Sequence, residues 1–295
     1  MTGLAILLAI GLAVLWTAGV VLSAWALLHP PRRTYSAAVA RGRAGDPSEL
    51  GEGARAFDTW ELECRGRRLP VWDVKGDDAD GPVVVLTHGW GDSRIGGLVR
   101  LPGLLPVASR VLLWDMPGHG EAPGVCGLGV GEVQDLIALL DRVAGQRVVL
   151  MGWSLGAGVS IAAAARTKLA SGVIAEAPYR LARTPATNVI RSRGLPASII
   201  MPVVFAIVPA VVGGGIRARR FDRCRHAAGL ACPLLVIHGS DDAVSPCADG
   251  REIAAAGRGE MVEVAGAGHN DLWTDESNAA RCAAAVRRFI QHLRA

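Results

Sequence analysis

The feature that most constrains the fold of this chain is an alternation of short apolar runs with longer helix-like stretches. The runs are rich in Val, Ile and Leu, which is typical of strands buried on both faces of a sheet. They lie at Val83–Thr87, Arg110–Trp114, Arg147–Met151, Gly172–Ala175 and Leu234–Ile237. Helix-like stretches lie at Glu132–Val143, Leu155–Arg166 and Ala279–Leu293. This order predicts an α/β fold with a mostly parallel central sheet and helices on both faces.

Length and composition predict one large domain, which we place at residues 56–295. The chain has 295 residues, of which 51% are hydrophobic, enough for a sizeable core. The net charge of +4 comes without a long basic run interleaved with aromatics, which argues against nucleic-acid binding. Part of the positive charge lies in two short arginine clusters, at Arg32, Arg33, Arg41 and Arg43 and at Arg217, Arg219 and Arg220.

The six cysteines form no CxxC pair and have no zinc-ligand spacing with histidine, so we expect no metal site. They are best interpreted as free thiols in a reducing compartment. A disulfide between Cys224 and Cys232 is the alternative that the sequence leaves open.

The N-terminal segment lacks any charged side chain from Thr2 to Leu28 and is long enough to span a bilayer. No Lys or Arg precedes the run, and positive charges follow from Arg32 onward. We therefore predict a single-pass anchor over 1–28 in the cell membrane, with the globular part in the cytoplasm. A signal peptide cleaved near Ala24–Ala26 is the alternative. Residues 29–55, rich in Pro, Gly and charge, are predicted to be a juxtamembrane linker.

The pattern Gly152-Trp153-Ser154-Leu155-Gly156 is the strongest sign of chemistry in the chain. It follows an apolar strand and opens an Ala-rich helix, and only small residues fit two positions before and after the serine of such a turn. That geometry lifts the serine hydroxyl out of the sheet at a helix N-terminus. We predict that Ser154 is a nucleophile, the alternative being a plain glycine-containing turn.

A serine nucleophile needs a base, and His269 lies in a Gly-rich loop between the last predicted strand and the closing helix. The acid that orients this imidazole is predicted to be Asp242, which follows a buried strand. Asp241 is the second choice and Glu176 the third. The order Ser154, Asp242, His269 is the nucleophile–acid–base order of one known fold.

The oxyanion that forms during acyl transfer needs two backbone N–H donors. Leu155, directly after the nucleophile, is predicted to supply one, and Trp90 in the loop after Val83–Thr87 the other. His88 in the same loop is interpreted as a structural residue rather than a second base.

Five ordered motifs resemble the α/β-hydrolase superfamily over about residues 57–293. They are His88-Gly89, Asp115–Gly120, Gly152–Gly156, Gly239–Asp242 and Gly268-His269. The resemblance is greatest to membrane-anchored esterases and acyl-hydrolases, and it implies a Ser-Asp-His triad that works through an acyl-enzyme without a cofactor. The loop His88-Gly89-Trp90-Gly91 departs from the HGGG loop of some esterases, so their substrates are not carried over. Ser154 excludes the relatives with an aspartate nucleophile, such as epoxide hydrolases.

Residues 180–230 occupy the position at which this fold often carries a cap. The stretch Leu195–Ile216 is uncharged, and its prolines favour an interrupted helix. A second membrane crossing there would separate Ser154 from Asp242, so we predict an apolar cap that binds acyl chains and faces the membrane, with Ile200, Val204 and Ile207 in contact with them. An ordinary buried helix pair is the alternative.

The predicted function is hydrolysis of a small-molecule carboxylic ester, including lipid and acyl esters. The alternatives are a serine peptidase or thioesterase of the same fold, because a triad does not select its leaving group, and a non-catalytic membrane-anchored scaffold.

Overall fold

The central element of the computed structural model, which describes residues 2–211 and 221–293, is an eight-stranded sheet of order β1-β2-β4-β3-β5-β6-β7-β8. The strands are β1 Phe57–Cys64, β2 Arg67–Lys75, β3 Val83–Thr87, β4 Arg110–Trp114, β5 Val148–Trp153, β6 Ala170–Glu176, β7 Leu234–Gly239 and β8 Glu260–Val264. β2 is antiparallel to both of its neighbours, β1 and β4, and the remaining pairs are parallel. The predicted mostly parallel sheet is confirmed.

The helices cover both faces of the sheet, as predicted. They are α1 Thr2–Leu28, α2 Tyr35–Val39, α3 Leu101–Leu104, α4 Glu132–Asp141, α5 Leu155–Ala164, α6 Arg183–Ser192, α7 Ala197–Val211, α8 Arg223–Ala228, α9 Cys247–Ala256 and α10 Glu276–His292. Successive side chains of a strand point to opposite faces. Val83 and Val85 accordingly pack in the cluster that holds α4 and α5, whereas Val84 and Leu86 pack with α3 and α10.

Strands β3, β5 and β7 are buried at every position, which explains their continuous apolar sequences. Because parallel strands end at the same edge of a sheet, the loops that follow these three strands meet at that edge. Ligands of open α/β sheets bind in the crevice outside the carboxyl ends of the strands. This edge is therefore the place to look for a site.

The N-terminal helix α1 is long and apolar enough over Gly3–Leu28 to cross a membrane, by length and composition alone. A membrane anchor and a signal sequence both meet this test. The following segment, predicted as a linker, holds α2 and two short 3-10 turns. Arg32 in this segment donates hydrogen bonds to the carbonyl oxygens of Gly120 (3.3 Å) and Ala122 (2.9 Å), which ties the segment to the domain.

The insertion between β6 and β7 contains α6, α7 and α8. Part of the predicted cap, including Gly213–Gly215, Ile216, Arg217, Arg219 and Arg220, lies outside the described residues. The prolines of this stretch predicted an interrupted helix, but α7 continues through Pro202. The burial of its apolar side against α1 outweighs the cost of an interior proline. Ile200 and Val204, expected to contact acyl chains, pack in this contact with α1, whereas Ile207 is exposed.

Candidate active site

Ser154 lies at the sharp turn between β5 and α5. Its φ of 54° and ψ of −111° place it outside the usual regions for a residue with a side chain. The turn needs its two glycines: a Cβ on Gly152 would lie 2.3 Å from the carbonyl oxygen of Gly156, and one on Gly156 would lie 2.1 Å from that of Thr87. The local sequence therefore explains the strained serine at the edge of the sheet.

The structure brings Ser154, His269 and Asp242 together, although they are far apart in the chain. The Nε2 atom of His269 lies 3.1 Å from Oγ of Ser154, and its Nδ1 atom lies 2.7 Å from Oδ2 of Asp242. Because an ionised carboxylate only accepts, Nδ1 is the atom that donates. In the neutral ring, Nε2 is then free to accept the proton of the serine hydroxyl.

The carboxylate of Asp242 is buried and surrounded by donors. Its Oδ1 accepts hydrogen bonds from the backbone N–H groups of Val244 (2.9 Å) and Ser245 (2.7 Å). Burial alone would raise the pKa of Asp242, but hydrogen bonds from His238 and His269 outweigh it and hold that pKa well below its usual value. Asp242 is therefore ionised and able to stabilise a charged imidazole beside it.

The two alternative acids have other partners. Asp241 is exposed and accepts a hydrogen bond from the Ser240 hydroxyl (2.7 Å). Glu176 is buried and paired with Arg100, and it also accepts from the indole N–H of Trp273 (2.6 Å). Of the three carboxylates considered, Asp242 is the one in contact with His269.

His238 is a site residue that the sequence analysis missed. Its Nε2 atom lies 2.8 Å from the carbonyl oxygen of Ser245 and 3.2 Å from Oδ2 of Asp242, so its N–H is shared between two acceptors. His238 is fully buried at the end of β7, four residues before Asp242. The sequence signal that could have found it is a histidine at the buried end of the strand that precedes a candidate acid.

The loop after β3 passes next to Ser154, since a Cβ on Gly89 would lie 3.4 Å from Cβ of Ser154. The backbone N–H groups of Trp90 and Leu155 have no hydrogen-bond acceptor within the part of the chain that the structure describes. An oxyanion beside Ser154 would therefore not have to displace another acceptor from either group. The indole N–H of Trp90 donates to the carbonyl oxygen of Leu27 (3.0 Å), so the end of α1 contacts this loop directly.

His88 has both ring nitrogens engaged. Nδ1 donates to the carbonyl oxygen of Gly89 (2.8 Å), and Nε2 accepts the backbone N–H of Met116 (2.9 Å). Burial lowers the pKa of His88 to about 4, so the ring is neutral at pH 7. A buried, doubly bonded imidazole connects two loops and has no free nitrogen for base catalysis.

The structure also bears on two further features considered from the sequence, a metal site and a disulfide. Among these residues, no group of three or more His, Cys, Asp or Glu lies close enough to hold a metal ion. The six cysteines, including Cys224 and Cys232, are free thiols in the structure.

A sequence profile of the Alpha/beta hydrolase family matches residues 84–285, more than half of the chain. The pimeloyl-[acyl-carrier protein] methyl ester esterase of Chromobacterium violaceum is 38% identical over 76 residues, which are 26% of this chain and 28% of that protein. The chain spans between 16% and 34% of the length of the curated relatives it matches first.

Two solved structures have the same fold over most of their length. An esterase of Pyrococcus furiosus superposes with a TM-score of 0.68 at 19% identity, over 90% of this chain and 98% of that chain. A bacterial membrane phospholipase A superposes with a TM-score of 0.62 at 15% identity, over 99% of this chain and 98% of that chain. At these identities the likeness establishes the fold alone.

The protein belongs to the Alpha/beta hydrolase family, on the profile match and on the fold. The resemblance drawn from the motifs and the predicted fold class are both confirmed. The family is one of hydrolases, so the prediction of a hydrolase is confirmed at the level of the family.

Proposed function

We propose that this protein is a membrane-anchored serine esterase that hydrolyses acyl esters with Ser154, His269 and Asp242 as its triad. The observation that carries the proposal is the continuous chain of contacts from Oγ of Ser154 through both nitrogens of His269 to Asp242. A module that only binds a ligand has no need for a serine, an imidazole and a carboxylate in hydrogen-bond contact with one another in this order.

The proposed reaction has two halves. Ser154 attacks the acyl carbonyl carbon while His269 takes the hydroxyl proton at Nε2, and Asp242 stabilises the resulting imidazolium. The backbone N–H groups of Trp90 and Leu155 donate to the oxyanion. His269 then protonates the leaving alcohol, and water attacks the acyl-enzyme with the same imidazole as base. The carboxylic acid leaves and Ser154 regains its proton, so no further reagent is required.

The ester class is supported by the proteins that this chain resembles. A relative of 38% identity over the shared segment is named as a methyl ester esterase, and a structure of the same fold is an esterase. The bacterial membrane phospholipase A superposes over 99% of this chain, a span that includes most of the apolar helix α1. These likenesses favour an acyl ester over a peptide as the substrate.

Retention of α1 as an anchor is supported by its packing. Val20 and Leu28 are buried against α7, and the carbonyl oxygen of Leu27 binds Trp90. Cleavage near Ala24–Ala26 would leave Leu27 and Leu28 in place, but it would remove Val20 together with Trp16 and Gly19, which contact α7. With Arg32 and Arg33 following the helix, the proposed orientation places the domain in the cytoplasm, at the cell membrane.

The first experiment compares the full-length protein with Ser154→Ala on p-nitrophenyl esters from acetate to palmitate. Loss of the nucleophile should lower kcat by about 10⁴-fold or more. Ser160→Ala is the matched control, because Ser160 is a buried serine of α5, the helix that Ser154 precedes, and lies outside the contacts of the triad. It should keep its activity.

A fluorophosphonate probe separates the remaining outcomes. Labelling that depends on Ser154, without hydrolysis of any ester, would contradict the esterase function and indicate a peptidase or thioesterase instead. No labelling of the folded wild-type protein would contradict serine catalysis and leave a non-catalytic scaffold.

A further inference from the structure

Helices α1 and α7 share one uncharged apolar surface. Neither helix contains a charged residue, and Val20 of α1 packs against Ile200 and Val204 of α7. On the outside of the same pair, Leu22 is 65% exposed and Ile199 is 59% exposed. An exposed apolar surface of this extent marks a contact with a protein or a membrane.

The contact between the two helices falls at a defined level along α1. The indole N–H of Trp16 donates to the carbonyl oxygen of Ile199 (3.3 Å), and a Cβ on Gly19 would lie 3.2 Å from Cδ1 of Ile200. The hydrocarbon core of a bilayer is about 30 Å thick. At 1.5 Å per residue, about 20 of the 26 residues of the apolar stretch Gly3–Leu28 are needed to span about 30 Å, and every such stretch includes Trp16 and Gly19. An α1 that crosses it therefore brings Trp16, Gly19 and the first turn of α7 into the hydrocarbon.

A cleft of about 400 Å³ lies between α6 and α7. Its lining is mostly apolar and is formed by Arg183, Thr187, Ala197, Ser198, Met201, Pro202, Phe205 and Ala206. Asn188 of α6 donates to the carbonyl oxygen of Val244 (2.9 Å), and the N–H of Val244 donates to Asp242 (2.9 Å). The wall of the cleft is thus tied to the loop that carries the proposed acid.

We propose that α7 lies in the bilayer beside α1, and that the cleft between α6 and α7 receives the acyl chain of a lipid drawn from that bilayer. This rests on the proposed esterase function and extends it to a substrate class, the long-chain esters of membrane lipids. Immersion of α7 explains why Ile199 and Ile207 are exposed rather than covered by the domain. An acyl chain that passes from bilayer to cleft does not have to cross water.

The position of α7 can be measured without any activity. The full-length variants Ile199→Cys and Val99→Cys are placed in phosphatidylcholine nanodiscs and treated with a charged, membrane-impermeant maleimide. Val99 is also exposed, but it lies in the 3-10 helix Arg94–Arg100 of the domain. Peptide mass spectrometry reads each position separately from the six native cysteines. We expect labelling at position 199 to be at least about tenfold slower, because charged groups are disfavoured in hydrocarbon. Equal rates would overturn the immersion of α7.

The cleft is tested with Ser198→Trp, which places a large ring on an exposed position of the lining. The substrates are a fluorogenic long-chain acyl ester in phosphatidylcholine vesicles and soluble p-nitrophenyl butyrate. The ratio of vesicle-substrate hydrolysis to butyrate hydrolysis should fall by about tenfold. An equal effect on both substrates, or no effect on either, would overturn the role of the cleft. A wild-type protein inactive on both would overturn the esterase and the cleft together, whereas the labelling ratio would still report where α7 lies.

Discussion

The ends of the neighbouring strands β6 and β7 each present a buried carboxylate, and the two have opposite surroundings. Glu176 ends β6 and is held by the guanidinium of Arg100 and the indole of Trp273. Asp242 follows β7 and is held by His238, His269 and two backbone N–H groups. Both side chains are almost completely shielded from water.

The difference lies in whether the partner can change its charge. A guanidinium stays protonated in proteins, so Arg100 is a partner of fixed charge for Glu176, and the pair serves the packing of the fold. An imidazole gains and loses a proton near neutral pH, so Asp242 faces a group whose charge develops during a reaction. Burial of a carboxylate at the edge of a parallel sheet is therefore no sign of catalysis by itself. The partner decides which of the two carboxylates can assist a base.

The largest expected effect is that of Asp242→Asn. The amide cannot stabilise an imidazolium and favours the wrong tautomer of His269, so kcat on p-nitrophenyl esters should fall by about 10⁴-fold. Asp241→Asn is the matched control, one residue away and exposed, and should leave kcat within about twofold, as for most surface changes. The reverse pattern would make Asp241 the acid.

Glu176→Gln should act on stability instead. The change leaves the buried guanidinium of Arg100 without its counter-charge, which should lower the free energy of unfolding by about 3–5 kcal/mol. Denaturant unfolding measures this loss, with Glu263→Gln as control, because the pair Glu263–Arg251 is exposed and contributes little. An unfolding free energy that stays unchanged while kcat collapses would contradict the division of roles between the two carboxylates.

The buried imidazoles His88 and His119 predict a loss of stability in acid. Burial lowers their pKa values to about 4 and about 3, whereas the unfolded chain titrates near the ordinary value of about 6.5. As the pH falls below about 6.5, the unfolded state comes to bind up to two more protons than the folded state, so the free energy of unfolding should fall by up to about 2.7 kcal/mol per pH unit toward pH 4.

Urea unfolding at a series of pH values measures this slope. His119→Asn removes one of the two titrating groups and should reduce the slope to about half. A stability that is constant between pH 7 and pH 5 would show that the two rings are accessible to protons in the folded state.

The smallest expected effect concerns His238, the second imidazole on Asp242. His238→Phe removes the donor to Oδ2 at similar size, and kcat should fall by about tenfold, since a hydrogen bond to a charged group contributes about 1.5–3 kcal/mol. His238→Gln keeps an N–H donor and should recover part of this loss. Equal activity of the two variants would mean that His238 only fills space beside Gly250.

Local sequence rules were sufficient to predict the sharp turn at Ser154 and the central sheet. The glycines around Ser154 are required by atoms within a few residues or on the adjacent strand, and β3, β5 and β7 are apolar because both of their faces are covered. Such constraints act at each position and leave a pattern that can be recognised without the rest of the molecule. The order of nucleophile, acid and base followed from the same strand ends, and their catalytic roles remain proposals.

Tertiary structure decided which way each candidate side chain points and what it contacts, because residue type alone does not specify this. Asp241 and Asp242 are adjacent, and only the path of the loop shows that Asp242 points to His269, 27 residues away. His238 contacts this acid, and Ile200 contacts α1 instead of a substrate, for reasons that no local pattern contains. The sequence alone determined the fold class, the strained serine and the apolar helix, because backbone geometry and burial act locally. The partners of each buried polar group were decided by packing between segments distant in the chain, since the hydrogen bonds and apolar contacts that select them exist only in the folded protein.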